Sequence, residues 1–217
     1  MMILKGKKVC FLGDSITQGC GTSDISKRYT DVFKEISGVA EIFVDGIGGT
    51  RIARQQTVNP NLLEWDTNEF TKRVDTLPDD ADVVVIFGGT NDYGHGDAPF
   101  GEDTDMTVDT FCGALNVLFQ KLIKKYPSST IVFMTPLHRT DEKNRNKSNN
   151  LILKDYVDKI KEFAAEYSVP VLDLYGVSGM QPCIEEQRAV YFYDGIHPND
   201  AGSRRIAEKL LGFLTAM

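Results

Sequence analysis

The chain has 217 residues, enough for one sizeable core and too few for two comfortable ones. Its hydrophobic share of 41% and charged share of 25% are those of an ordinary soluble globular protein. A formal net charge of -7 speaks against nucleic acid and against an anionic membrane surface as partners, since both need a basic face.

The opening "MMILKGKKVCFLG" has too short an apolar run for a signal peptide, and its second half reads as a first strand, Lys8–Leu12. A cytoplasmic chain is therefore expected. The strand stops at "GDSIT", where Ser15 stands between Asp14 and Ile16. Tyr29, Val32, Phe33 and Ile36 then repeat at helical spacing. A second strand, Glu41–Asp45, runs into "DGIGGT" with Gly48 and Gly49. The long segment Arg51–Asp82 is irregular, with a poorly patterned helix around Phe70, Val74 and Leu77. The third strand, Val83–Phe87, is apolar without alternation, as befits a central parallel strand covered on both faces. It ends in "GGTND", which holds Asn91.

After the irregular segment Tyr93–Thr107, Phe111, Leu115, Leu118 and Leu122 predict a helix. A fourth strand, Thr130–Met134, leads into the polar segment Thr135–Asn150. Ile152, Tyr156, Ile160, Phe163 and Tyr167 then keep one helical face before a fifth strand, Val169–Asp173. "YDGIHP", with Asp194 and His197, precedes a last helix that Pro198 and Asn199 open and that buries Ile206, Leu210 and Phe213. Strand–helix alternation predicts a three-layer α/β/α sandwich around a parallel sheet, in one domain without linker or repeat. Cys10, Cys20, Cys112 and Cys183 have no metal-finger spacing and are expected as free thiols, Cys10 and Cys112 in the core.

Open parallel sheets bind ligands at the carboxyl ends of their strands. Topology thus brings Ser15, the Gly48–Gly49 pair, Asn91, and Asp194 with His197 to one edge. A serine hydroxyl needs a base to become a nucleophile. Imidazole, with an ordinary pKa of ~6.5, suits that task, and His197 is the candidate. The ring needs a carboxylate on its other nitrogen, and Asp194 lies three residues earlier. Acyl transfer also needs donors for the developing oxyanion, and the Gly49 N–H, the Asn91 amide and the Ser15 N–H are the candidates.

"GDSIT", the glycine pair, "GGTND" and "DGIHP" together resemble the four blocks of the SGNH hydrolases, the GDSL-type esterases and lipases. The blocks stand in family order from Gly13 to Pro198. The resemblance implies Ser15 as nucleophile, Gly49 and Asn91 as oxyanion donors, and His197 with Asp194 as base and orienter. It also implies a flavodoxin-like five-stranded parallel sheet and no metal or organic cofactor. Many members carry an asparagine just before the glycine loop, where this chain has Asp45. Spacing prefers Gly49 to Gly48.

His95 is tempting as a pocket residue, but a solvated loop histidine is as good a reading, so it stays outside the catalytic set. His138 and Arg139 stand at the right edge to line a substrate site or to sit on an exposed loop. Asp14 and Asp92 are expected to brace their loops by hydrogen bonds. The mostly polar loops favour a short-chain, acetyl ester of a carbohydrate or other small polar alcohol over a lipid. Alternatives are a lysophospholipase or thioesterase, a phosphate-cradling flavodoxin-like binding protein, and a catalytically silent carbohydrate-binding relative.

Overall fold

The computed structural model describes residues 2–217. Apolar, β-branched runs form strands β1 Lys8–Gly13, β2 Glu41–Gly46, β3 Val83–Phe87, β4 Thr130–Met134 and β5 Val171–Leu172. Helices α1 Ser15–Gln18 and α2 Tyr29–Ser37 follow β1; α3 Leu63–Asp66 and α4 Phe70–Arg73 follow β2. After β3 come α5 Thr90–Gly94 and α6 Phe111–Lys125, and after β4 comes α7 Leu153–Glu166. Beyond β5 lie α8 Leu174–Val177, α9 Glu185–Tyr191 and α10 Asp200–Ala216. All strand pairs are parallel, in the order β2-β1-β3-β4-β5, which is the expected three-layer α/β/α arrangement.

Strand side chains alternate between two cores. Val9, Phe11, Val83, Val85, Phe87, Val132 and Met134 meet α2 and α10. Cys10, Leu12, Val84, Ile86 and Phe133 meet α6 and α7. Phe11 packs edge-to-face on both Tyr29 and Phe33, so the first strand holds α2 through aromatic rings worth roughly 2–3 kcal/mol each in burial. In α10 Leu214 takes the fully buried position and Phe213 packs half-buried beside it. That helix begins where the Asn199 side chain accepts the Ala201 and Gly202 N–H groups, a cap worth about 1 kcal/mol.

Two expectations shift. The fifth strand is only Val171–Leu172, because Pro170 has no N–H for the ladder and Asp173 turns to cap α8 through the Gly176 N–H. The helix expected from Ile152 to Tyr167 keeps both residues as its caps. Among the described residues no helix is long and apolar enough to cross a membrane.

The chain runs from β1 outward to β2, then returns across β1 to β3. Connections therefore leave β1 and β3 in opposite directions, and a crevice opens above their carboxyl ends. Ser15 and Asn91 flank it.

Candidate active site

The site starts from the abrupt end of β1. Asp14 caps α1 by accepting the Ile16 N–H at 3.0 Å, which makes Ser15 the first helical residue. The Ser15 hydroxyl donates to Nε2 of His197 at 2.9 Å. On the other side of that ring, Nδ1–H donates to the Asp194 carboxylate at 2.7 Å. Oδ1 of the same carboxylate accepts the Ile196 and His197 backbone N–H groups at 2.9 and 2.8 Å. Burial works to raise the Asp194 carboxyl, but the backbone and imidazole N–H groups outweigh it and hold the group below the ordinary range. It is thus ionised, and the imidazole has its free lone pair turned toward the serine.

The loop after α1 fits closely against the histidine. At Gly21 a Cβ would lie 2.7 Å from the Pro198 carbonyl and 2.9 Å from the His197 Cβ, and φ is +94°. Ser23 fastens the same loop to α10, its N–H and hydroxyl donating to Asp200 at 2.8 and 2.6 Å.

The glycine pair divides its work. The Gly48 N–H donates to the Gln18 side chain at 2.9 Å. Among the described residues the Gly49 and Ser15 N–H groups meet no acceptor. Gly49 has φ +73°, and a Cβ there would run into the Trp65 indole. Asn91, at the start of α5, donates through Nδ2 to the Thr50 carbonyl at 3.0 Å and keeps a second N–H. Ser15, Gly49, Asn91 and His197 all line one cavity of about 370 Å³, whose walls include Trp65 and Ile196. A polarised hydroxyl beside uncommitted N–H donors has the parts for attack on a carbonyl carbon.

Of the two residues in doubt after β4, Arg139 lines this cavity and His138 does not. Arg139 is tied to the Thr90 carbonyl at 3.0 Å and to Asp141. His138 donates to Glu142 at 2.6 Å and faces a neighbouring depression with Tyr175 and Gln181. His95 is exposed as expected of a loop histidine, yet it lines the cavity and both its ring nitrogens are engaged. Asp92 braces its loop as expected, accepting the Ile52 and Ala53 N–H groups at 3.0 and 2.9 Å. All four cysteines are free, Cys10 and Cys112 in the core.

Sequence reasoning missed the residues that buttress the site. Trp65, the chain's single tryptophan, sits on Gly49, and its place in a long irregular segment was the available signal. Arg73 has no signal in the sequence. Its guanidinium is buried and donates to Asp45 Oδ1 at 3.0 Å, the Gly13 carbonyl at 2.9 Å and the Thr50 hydroxyl at 3.0 Å. Asp45 in place of the family's common asparagine thus has a partner: it is half of a buried ion pair.

Burial pushes the Asp14 carboxyl up to about 6, against the pull of the Ile16 N–H, His197 and Arg73. The folded chain then holds this proton up to about pH 6, whereas an unfolded one releases it near the ordinary 3.8. Wild-type stability should fall as pH rises through that window, with the contribution intact below it and gone above it. Asp14→Asn keeps an acceptor for the Ile16 N–H but cannot titrate. Relative to wild type it should gain ~2 kcal/mol between pH 4 and pH 7, most of what the full shift carries at about 1.36 kcal/mol per pKa unit. Urea unfolding of both proteins at the two pH values measures this, and parallel curves would refute it.

A model of the GDSL-like lipase/acylhydrolase family matches residues 11–205. One solved structure is 33% identical, with 100% of this chain and 99% of that chain covered and a TM-score of 0.86. The structure of a protein from Lactobacillus plantarum is 32% identical, with 98% of each chain covered and a TM-score of 0.84. A lipase/acylhydrolase from Enterococcus faecalis shares the fold at 23% identity, with 97% of this chain and 96% of that one covered and a TM-score of 0.65. No curated protein matches.

Proposed function

The chain belongs to the GDSL-like lipase/acylhydrolase family and is an ester hydrolase, and from that premise we propose a triad mechanism acting on a short-chain, acetyl ester of a carbohydrate or other polar alcohol. The observation that carries the mechanism is the unbroken relay from Ser15 through His197 to Asp194, opening on the cavity that Gly49 and Asn91 also line.

Ser15 Oγ attacks the ester carbonyl as its proton passes to Nε2 of His197. Asp194 holds the imidazolium by accepting Nδ1–H. The carbonyl oxygen takes up the electron pair and is met by the Ser15 and Gly49 N–H groups and the free Asn91 N–H, each worth roughly 3 kcal/mol in such a site. The tetrahedral adduct collapses, the alcohol leaves with the proton from Nε2, and an acyl-serine remains. Water then repeats the sequence, giving its proton to His197, and the acid departs as Ser15 recovers its own.

Cavity size and lining support the short acyl group. About 370 Å³ leaves room for a small acyl group and its alcohol, and Gln18, Asn91, His95 and Arg139 bring polar groups to a wall otherwise formed by Cys20, the glycine pair, Trp65 and Ile196. Both nearby arginines are matched by carboxylates, Arg139 by Asp141 and Arg51 by Asp66, so a neutral ester fits better than an anion. The buried Asp14 carboxylate in the β1 loop also weighs against a phosphate there. A panel of p-nitrophenyl esters from acetate to palmitate tests the substrate class. Acetate should have the highest kcat/KM. Rates that rise about fourfold per methylene to eight carbons or more would mean an apolar acyl tunnel and overturn it; a lysophospholipid or thioester would then be the better substrate.

A further inference from the structure

His95 is a cavity residue to which the triad mechanism gives no task. Its surroundings give it one. Arg51 is buried, with Nη1 on the Trp65 carbonyl at 3.1 Å and Nη2 on Asp66 at 2.9 Å and on His95 Nδ1 at 3.0 Å. A guanidinium only donates, so Nδ1 of His95 must accept, and the ring proton of a neutral imidazole is left on Nε2. Nε2 lies 3.1 Å from the Asn91 side-chain oxygen, to which it donates.

That bond decides which way the Asn91 amide faces. With Oδ1 accepting from His95, Nδ2 points to the Thr50 carbonyl and one N–H remains for the cavity. Turned over, the amide would set its NH₂ against the His95 N–H and its oxygen against the Thr50 carbonyl. Both contacts would be repulsive, donor on donor and acceptor on acceptor. We propose that Arg51 and His95 form a positioning relay that locks Asn91 with its free N–H aimed at the oxyanion. The relay rests on the ester-hydrolysis reading above.

The relay requires a neutral ring. The residue is exposed overall, but desolvation around its two engaged ring nitrogens, then the positive charges of Arg51 and Arg139, push His95 down to about 4, against the pull of Asp66. Trp65 also packs beside the ring at a tilt of 38°, with centroids 6.2 Å apart. His95 is therefore a positioning residue. It touches no reacting atom and acts through Asn91.

A double-mutant cycle on p-nitrophenyl acetate hydrolysis tests it, with wild type, His95→Ala, Asn91→Ala, the double variant and His95→Gln. Asn91→Ala should lower kcat by ~10²-fold, and His95→Ala by roughly 10-fold with KM little changed, since a misaimed donor loses part of its effect. In the Asn91→Ala background, His95→Ala should cost nothing further. His95→Gln retains an acceptor for Arg51 and a donor for Asn91 and should restore most of kcat. Equal losses from His95→Ala in both backgrounds would overturn the relay while leaving Asn91 as oxyanion donor. An Asn91→Ala variant with wild-type kcat would instead sink the oxyanion reading itself.

Nitrogen NMR of the wild-type imidazoles reads protonation and tautomer directly. The chain has three histidines, and the His95→Gln spectrum identifies the signal. At pH 5 His95 should be neutral with its proton on Nε2. A charged ring or an Nδ1–H tautomer at that pH would refute the relay.

Discussion

Ser15→Ala should lower kcat on p-nitrophenyl acetate by ~10⁴-fold or more, because a triad serine is the group whose loss removes the covalent route altogether. The Ser15 side chain makes a single hydrogen bond, to His197, and fills little space. Its removal should therefore shift stability by no more than about 1 kcal/mol. The oxyanion donors stay in place, so a small residual rate above the buffer background is expected rather than none. Activity within tenfold of wild type, in a variant with an unchanged melting temperature, would rule out Ser15 as nucleophile. A variant inactive only because it melts early would be exposed by the same melting curve.

Arg73→Met should destabilise the fold by ~3–5 kcal/mol, the range for breaking a buried ion pair from one side. Arg73 and Asp45 are 5% and 16% exposed at their side chains, so the carboxylate left behind would have no cationic partner and little water around it. The same change would take one of two donors from the Gly13 carbonyl, directly ahead of Asp14 and Ser15, and leave it only the Ile47 N–H at 3.2 Å. The methionine keeps contact with the Phe70 ring over which the guanidinium now lies, 4.8 Å from its centroid. At this chain length the loss corresponds to a drop in Tm on the order of 10 °C. Adding Asp45→Asn removes the stranded charge and should recover part of it. A single variant within about 1 kcal/mol of wild type by urea unfolding would show that the pair does not hold the loops.

The layers were legible because strands covered on both faces read as unbroken apolar runs. β3 is "VVVIF", buried throughout, and its limits match those expected from sequence. Ser15, Asp194 and His197 stood out because each lies in a short, odd cluster at a strand end or helix start, where local chemistry is enough to raise the question. What escaped lies mostly in the segment from Arg51 to Asp82. Trp65 and Arg73 belong to one-turn helices too short to show a period, and Arg73 reaches Gly13 across 60 positions. His95 was visible, but its value depends on Arg51, 44 positions away. Polar side chains that earn their place through distant partners leave no periodic trace, whereas apolar faces do.

Ser15 and His197 are 182 positions apart, joined only when the loop at Gly21 seats against Pro198 and Ser23 fastens to Asp200. Synthesis runs from the serine to the histidine. On the proposed mechanism, a nascent chain therefore carries an ordinary, unactivated hydroxyl until the segment with His197 has been made. Reactivity arrives only as the final helix emerges and docks on α2, so a product cut short before that point would be inert toward esters rather than partly active.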